Sequence, residues 1–270
     1  MSDSLFSYKG KTVLVVGGAT GMGAAAAKQA ASDGAEVIVL DVADVDYPVK
    51  QALKLDLRNK DNIDQVISEI SGTVDVVFSC AGVADGFPGI MLINFTGQRY
   101  LLEQLTAKDI LVRGGSIVMI SSVAGMGWQG NLPQVLEFLA LESWDAQVNW
   151  IEGHDGTDTY MFSKQAMNGY VANRCMAYAK QGIRINSVLP GPTDTPLARA
   201  NADVWLAFGA GYRDQIAAQP LSPEQIGSAM MFLGGDAASG ISGISMFIDH
   251  GHMSASTSGA YTEPAFADLA

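Results

Sequence analysis

The sequence predicts an α/β fold, a doubly wound parallel sheet of about seven strands in a single domain, residues 1–270. Three observations predict it. Short β-branched runs alternate with helical stretches along most of the chain. A glycine turn joins the first run directly to the first helix. The length of 270 residues fits one large α/β domain, and neither an internal repeat nor a linker divides it.

The first strand is the buried run Thr12 to Val16. Gly17-Gly18-Ala19-Thr20-Gly21-Met22-Gly23 follows at once, and an Ala-rich helix runs from Ala24 to Ser32. Strand, glycine turn and helix form the context of a dinucleotide fingerprint. Gly17 allows the tight turn, Gly21 lets the backbone approach a pyrophosphate, and Gly23 lets helix and strand pack closely. The helix N-terminus then faces the phosphates. After Asp33-Gly34, residues 36–40 form the second strand, and Asp41 ends it 18 residues beyond Gly23. A carboxylate there accepts hydrogen bonds from both ribose hydroxyls and repels a 2′-phosphate. No Arg or Lys follows within eight residues, so the reading is NAD rather than NADP; the alternative is an Asp that caps a loop.

Residues 53–57 read as the third strand, 59–70 as a helix with Ile63, Val66, Ile67 and Ile70 on one face, and 74–79 as the fourth strand. Residues 88–113, around Asn94, read mostly as helix, and 116–120 as the fifth strand, closed by Ser121-Ser122. Residues 123–156 break the rhythm with a loop and a helix over roughly 133–150. A long helix over about 158–181, a sixth strand over 183–189, a helix start at Ser222-Pro223-Glu224 and a seventh strand over 244–248 complete the pattern. The tail, 252–270, carries little structural signal. Such alternation implies right-handed crossovers. Ligands bind beyond the carboxyl ends of such strands, where Gly17, Asp41, Gly82 and Ser122 fall.

Composition excludes several functions. The formal charge is −12, from 16 basic and 28 acidic residues, which argues against nucleic acid and anionic membrane surfaces. No apolar stretch reaches membrane-span length, and the first residues lack a signal-peptide pattern. Cys80 and Cys175 make neither a disulfide framework nor a zinc set, so a cytoplasmic setting is the default. His250 and His252 could pinch a metal, but three scattered histidines build no obvious site, and no metal is expected.

Chemistry centres on Tyr160-Met161-Phe162-Ser163-Lys164. Tyr160 and Lys164 lie one helical turn apart on one face. An ammonium near a phenol stabilises the phenolate and pulls its pKa from about 10 toward the working pH. A phenol so tuned takes a proton from an alcohol or gives one to a carbonyl. Spacing alone also fits a surface pair.

Together these stations resemble the short-chain dehydrogenase/reductase family over about residues 10–251. The resemblance rests on Gly17-xxx-Gly21-x-Gly23, Asp56-Leu57, Cys80-Ala81-Gly82, Asn94, Ser122, Tyr160-xxx-Lys164 and Pro190-Gly191-Pro192-Thr193-Asp194-Thr195. It implies a Rossmann fold and an NAD-dependent oxidoreductase (EC 1.1.1.-) that interconverts a secondary alcohol and a ketone. It makes Tyr160 the general acid/base, Ser122 the holder of the substrate oxygen, and Lys164 the group that lowers the Tyr160 pKa and binds the nicotinamide ribose. Asn94 would anchor a proton-relay water. Asp56 would contact adenine, and Thr193 and Thr195 would hold the carboxamide. Thr20, Met22, Leu57, Cys80, Ala81, Gly82, Pro190 and Gly191 complete the implied cofactor contacts. Ser122 is chosen over Ser121 because it directly precedes Val123-Ala124-Gly125, as the family's catalytic Ser precedes its matching segment.

The chain departs from the family pattern in places. Val16 stands where Thr is frequent, and Ser79-Cys80 replaces a common Asn pair; Cys80 reads as a packed small residue. Ser122 and Tyr160 are 38 positions apart, against the family's usual dozen or so. The inserted segment, about 131–156, resembles that of the bacterial 3α-hydroxysteroid dehydrogenase/carbonyl reductases, where it alters subunit pairing. A homodimer or homotetramer is the family expectation. Met126, Trp128, Trp150, Trp205, Phe208 and Tyr212 are candidate pocket walls. They favour a bulky apolar alcohol or ketone such as a hydroxysteroid. A smaller or aromatic alcohol, or a silent NAD-binding protein, is the alternative.

Overall fold

The computed structural model describes residues 4–265. Seven parallel strands form one sheet in the order β3-β2-β1-β4-β5-β6-β7. They are β1 Thr12–Val16, β2 Glu36–Asp41, β3 Gln51–Lys54, β4 Val74–Ser79, β5 Leu111–Ile120, β6 Arg184–Pro190 and β7 Ser245–Ile248. The order reverses between β1 and β4, which opens a crevice at their carboxyl ends.

One face of the sheet is covered by α2 (Lys60–Glu69), α3 (Gly97–Ala107) and α6 (Tyr160–Lys180), packed on Leu14, Ile38, Val77 and Ile117. The other face carries α1 (Gly21–Ser32) and α10 (Pro223–Gly234), packed on Val13, Val15, Val39 and Phe78. The sheet's β-branched runs are buried on both faces, as parallel strands require. Helices α4 (Leu132–Leu139) and α5 (Trp144–Gly153) lie before α6. Short helices α7 (Pro196–Arg199), α8 (Ala202–Trp205) and α9 (Ala210–Gln215) follow β6, and α11 (His252–Thr257) follows β7.

Four boundaries differ from the sequence reading. The third strand is Gln51–Lys54, not 53–57: its only partner, β2, ends at Asp41, opposite Lys54. Leu55 and Leu57 are instead buried as the chain enters the loop. Residues 88–113 are helical only from near Gly89 to Ala107. Leu92–Thr96 is a widened π turn, Asp109 adopts φ 54°, and Leu111 already belongs to β5. The inserted helix is two helices, because Ser143 caps α5 by accepting a hydrogen bond from the Ala146 amide at 3.1 Å. The tail carries a helix, α11, and 266–270 lie outside the described residues.

Candidate active site

The glycine turn has the geometry its residue types demand. Gly17 has φ +77°, and a Cβ there would lie 2.5 Å from the Ala81 backbone. A Cβ on Gly23 would lie 2.1 Å from the Gly17 carbonyl oxygen. Helix α1 begins with neither a side-chain cap nor an acidic residue in its first turn. Its leading amides therefore face the crevice without intrahelical partners. That crevice, about 270 Å³, is lined by Gly17, Thr20, Met22, Asp41, Asp56, Leu57, Ala81, Gly82 and Thr195 among others. An uncapped helix start beside closely packed glycines fits a pyrophosphate. Asp56, with Arg58 on its carboxylate at 2.7 and 3.0 Å, and the wall residues Leu55, Val83 and Ile93 fit the adenosine half.

Asp41 stands at this crevice, held from behind: the Ala19 amide donates to Oδ2 at 2.8 Å and the Ala43 amide to Oδ1 at 2.9 Å. The carboxylate both caps the loop and borders the cleft. Lys54, distant in sequence, lies opposite Asp41 in the sheet and donates to the Val42 carbonyl at 3.2 Å, while pairing with Asp44 at 2.6 Å. Sequence spacing alone hid this neighbouring cation.

A second cavity, about 1050 Å³, opens beside the first and shares Met22, Cys80, Gly82 and Thr195 with it. Ser122, Tyr160 and Lys164 all line it. Tyr160 begins α6, where Thr159 caps the helix and Asp85 accepts a hydrogen bond from the Tyr160 amide at 2.7 Å. Ser122 leaves β5 in extended geometry, and its oxygen accepts from the Ala124 amide at 3.1 Å. Ser121 is buried and donates to the Lys164 carbonyl at 3.2 Å. The two serines differ in direction: the Ser122 hydroxyl meets Tyr160, while Ser121, which also borders the cavity, turns its hydroxyl to the Lys164 carbonyl.

Lys164 is buried, its Nζ donating to the Ile120 carbonyl at 2.8 Å and standing 5.4 Å from the centre of the Tyr160 ring. Asn94 sits in the π turn, bonded through its amide to Val83 N and O at 2.8 and 3.0 Å and to Ser163 Oγ at 3.2 Å. Gly82 brings the two together: a Cβ there would lie 3.6 Å from Asn94 Oδ1 and 3.8 Å from Lys164 Nζ. Gln98 donates to the carbonyls of Ala81, Ile93 and Asn94, fixing this corner.

The electrostatics correct one expectation. Burial pushes the Tyr160 phenol up to about 12; the Ser122 hydroxyl pulls it down and Asp85 adds to the rise. Lys164 is not among the groups that lower it. Its own pKa falls from 10.5 to about 8, because burial disfavours the ammonium. The ammonium points to the Ile120 carbonyl, so the protein by itself leaves the phenol protonated. Burial likewise pushes the Cys80 thiol up, which matches a packed thiol rather than a thiolate.

Other residues fall as follows. Pro190, Gly191 and Thr193 line the larger cavity, and Leu57 the smaller. The Thr195 hydroxyl caps α7, accepting from the Ala198 amide at 3.1 Å, and Thr193 Oγ1 donates to the Gly191 carbonyl at 2.9 Å. Met126, Trp205 and Phe208 wall the larger cavity as expected. Trp128, Trp150 and Tyr212 do not: Trp150 packs on Phe138 and Phe162, Trp128 joins the same core, and Tyr212 stacks on His252. Met161, Leu197, Val204, Tyr261 and Glu263 line it instead. Nothing local in the sequence marks them, because they converge from the α6 start, the α7–α8 region and the tail. His252 Nε2 faces Glu263 at 2.7 Å, so His250 and His252 do not form a pincer.

Comparison with known proteins places the chain. The short chain dehydrogenase family model matches residues 11–133, and the model described as enoyl-(acyl carrier protein) reductase matches 139–253. The cis-4-hydroxycyclohexanecarboxylate dehydrogenase of Sinomonas cyclohexanicum is 27% identical over 91% of this chain and 98% of its own. The 3-alpha-hydroxysteroid dehydrogenase/carbonyl reductase of Comamonas testosteroni is 28% identical over 88% and 95%. In fold, the chain is similar to the 3-alpha-hydroxysteroid dehydrogenase from Pseudomonas sp. B-0831 complexed with NADH. The TM-score is 0.73 at 24% identity, covering 93% of this chain and 99% of that one.

Proposed function

The chain belongs to the short-chain dehydrogenase/reductase family, and from that premise we propose that this oxidoreductase interconverts a bulky apolar secondary alcohol and its ketone with NAD. One observation carries the reading. Ser122, Tyr160 and Lys164 meet at the boundary between a glycine-walled cleft and a large apolar cavity. A bound nicotinamide would supply or accept the hydride. The residues of the chain bind, orient and move the proton. Leading amides of α1 hold the phosphates, and Asp41 takes the ribose hydroxyls. Ser122 orients the substrate oxygen toward Tyr160 Oη, which takes the hydroxyl proton in oxidation once its own proton has left, and in its protonated form gives that proton to the carbonyl in reduction. Lys164, near Gly82 and Asn94, is positioned to hold the second ribose and to pass the proton outward through the Asn94 corner.

The cavity volume and its Met126, Met161, Leu197, Val204 and Phe208 walls favour a polycyclic or other bulky apolar substrate. Trp205, with its ring centre 4.9 Å from that of Tyr160, supports a second reading, an aromatic alcohol. Free Cys80 and Cys175 suit a reducing cytoplasm, and subunits are proposed to pair as homodimers or homotetramers. Among the described residues no helix is long and apolar enough to cross a membrane.

A panel of steroid, aryl and short aliphatic alcohols, followed by NADH absorbance, tests the reading. The lowest KM is expected for bulky apolar alcohols, with short aliphatic alcohols turned over only at much higher concentration. Tyr160→Phe should abolish it while NADH binding, followed by fluorescence, changes less than about threefold. Retained turnover in that variant would remove Tyr160 from the reaction.

A further inference from the structure

We infer that the chain's C-terminal segment, residues 252–263, is a specificity-determining wall of the large cavity, anchored by the buried pair His252 and Glu263. This rests on reading that cavity as the substrate site. The anchor is built from three directions. Asp249, itself buried, accepts from the Gly251 amide at 2.9 Å and the Met253 amide at 2.8 Å, which starts α11 and aims the His252 ring. His252 is 3% exposed and Glu263 6%, with Nε2 and Oε2 2.7 Å apart. The other Glu263 oxygen accepts from the Ala265 amide at 3.2 Å. A carboxylate so far from water persists only with partners of this kind.

The same imidazole holds the opposite wall. Its ring centre lies 4.8 Å from that of Tyr212 in a stack, 5.2 Å from that of Phe208 and 5.6 Å from that of Tyr261. Gly209 adopts φ +64°, and a Cβ there would lie 2.5 Å from His252 Cε1, so the ring rests directly on the backbone between Phe208 and α9. Phe208 comes from the segment after β6, and Tyr261 and Glu263 from the tail; all three line the cavity. One side-chain pair therefore fixes two walls that share no local sequence. A short alcohol needs only Ser122 and Tyr160 to be held. A bulky apolar one must also fill the space between these walls, and it alone loses contact when they part.

The test uses the full chain with Glu263→Ala, Glu263→Gln and Gly209→Ala. Hydrogen exchange is measured over residues 202–213 and 252–263. KM and kcat are measured at saturating NAD for a bulky cyclic secondary alcohol and for 2-propanol. For Glu263→Ala, exchange in both segments should quicken tenfold or more with the central strands unchanged. KM for the bulky alcohol should rise about tenfold, with kcat changing less than about twofold and KM for 2-propanol little moved. Glu263→Gln, which keeps the size and one oxygen, should fall between parent and Ala. Gly209→Ala, acting from the opposite wall, should loosen the tail as well. Unchanged exchange over 202–213 in Glu263→Ala, or an equal KM rise for both alcohols, would overturn the inference. Should the parent turn over neither alcohol, the substrate reading fails. The exchange measurement then still decides the anchor, coupled loosening supporting it and independence of the two segments refuting it.

Discussion

Replacing Lys164 by Met should abolish turnover and yet leave the protein as stable or more stable at neutral pH. Lys164 is 2% exposed, and burial lowers its pKa from 10.5 to about 8. A difference of that size corresponds to about 3 kcal/mol against folding while the unfolded chain is protonated. The sign follows from proton counting. Between about pH 8 and 10.5 the unfolded chain holds a proton that the folded chain has lost, so this group's contribution to stability rises with pH. Its penalty is about 3 kcal/mol at pH 7 and about 1 kcal/mol at pH 10. Methionine fills a similar stem without the charge. It loses the 2.8 Å bond to the Ile120 carbonyl, which leaves a buried acceptor unpaired at a cost of roughly 1–3 kcal/mol. The net at pH 7 is a change between neutral and about 2 kcal/mol stabilising. The sharper quantity is the difference between variant and parent, from which all other titrating groups cancel. It should move by about 2 kcal/mol toward the parent between pH 7 and pH 10. Urea denaturation at the two pH values measures it. A difference that does not change with pH would show that Lys164 titrates at its ordinary pKa, and the burial argument would fail.

Other perturbations separate the roles of neighbouring groups. Ser122→Ala removes the one neighbour that lowers the Tyr160 pKa, so the alkaline rise of the alcohol-oxidation rate should move to higher pH; Ser121→Ala should leave that limb in place and cost about 1 kcal/mol of stability instead. The pH profiles of kcat/KM for the two variants distinguish them, and identical profiles would undo the assignment. Asp41→Ala should relax the preference for NAD over NADP, because the carboxylate that repels a 2′-phosphate is gone while the neighbouring cation Lys54 remains. Adding Lys54→Ala should remove the gained NADP affinity, as read by cofactor titration. Gly23→Ala forces a methyl to within 2.1 Å of the Gly17 carbonyl oxygen, backbone that cannot move aside, at about 1–3 kcal/mol or more; NADH affinity should fall at least tenfold in fluorescence titration.

Much of the scaffold was legible because parallel strands bury both faces and so appear as continuous apolar runs. Thr12–Val16, Val74–Ser79 and Ser116 to Ile120 lie in the sheet where that signal put them. Boundaries slipped where pairing rather than composition decides them, as when β3 stops at Lys54 because β2 has already ended. The choice of Ser122 over Ser121 rests on the family resemblance, whereas Gly23 was readable because its demand, space for a backbone oxygen, is local. The pocket aromatics were less readable. Trp150 and Trp205 are the same residue type, each in a short helix, yet one closes the core against Phe138 and the other stands beside Tyr160.

The sheet, the glycine turn and the helical spacing of Tyr160 and Lys164 follow from the residues alone, since each depends on contacts within a few residues or on a repeating pattern of burial. Where the Lys164 ammonium points, that Lys54 comes beside Asp41, and that Glu263 reaches back to His252 emerge only in the folded chain. Those outcomes depend on which distant backbone carbonyls, carboxylates and rings the folded chain brings within 3 to 6 Å, and electrostatics and burial act over that distance irrespective of position in the sequence.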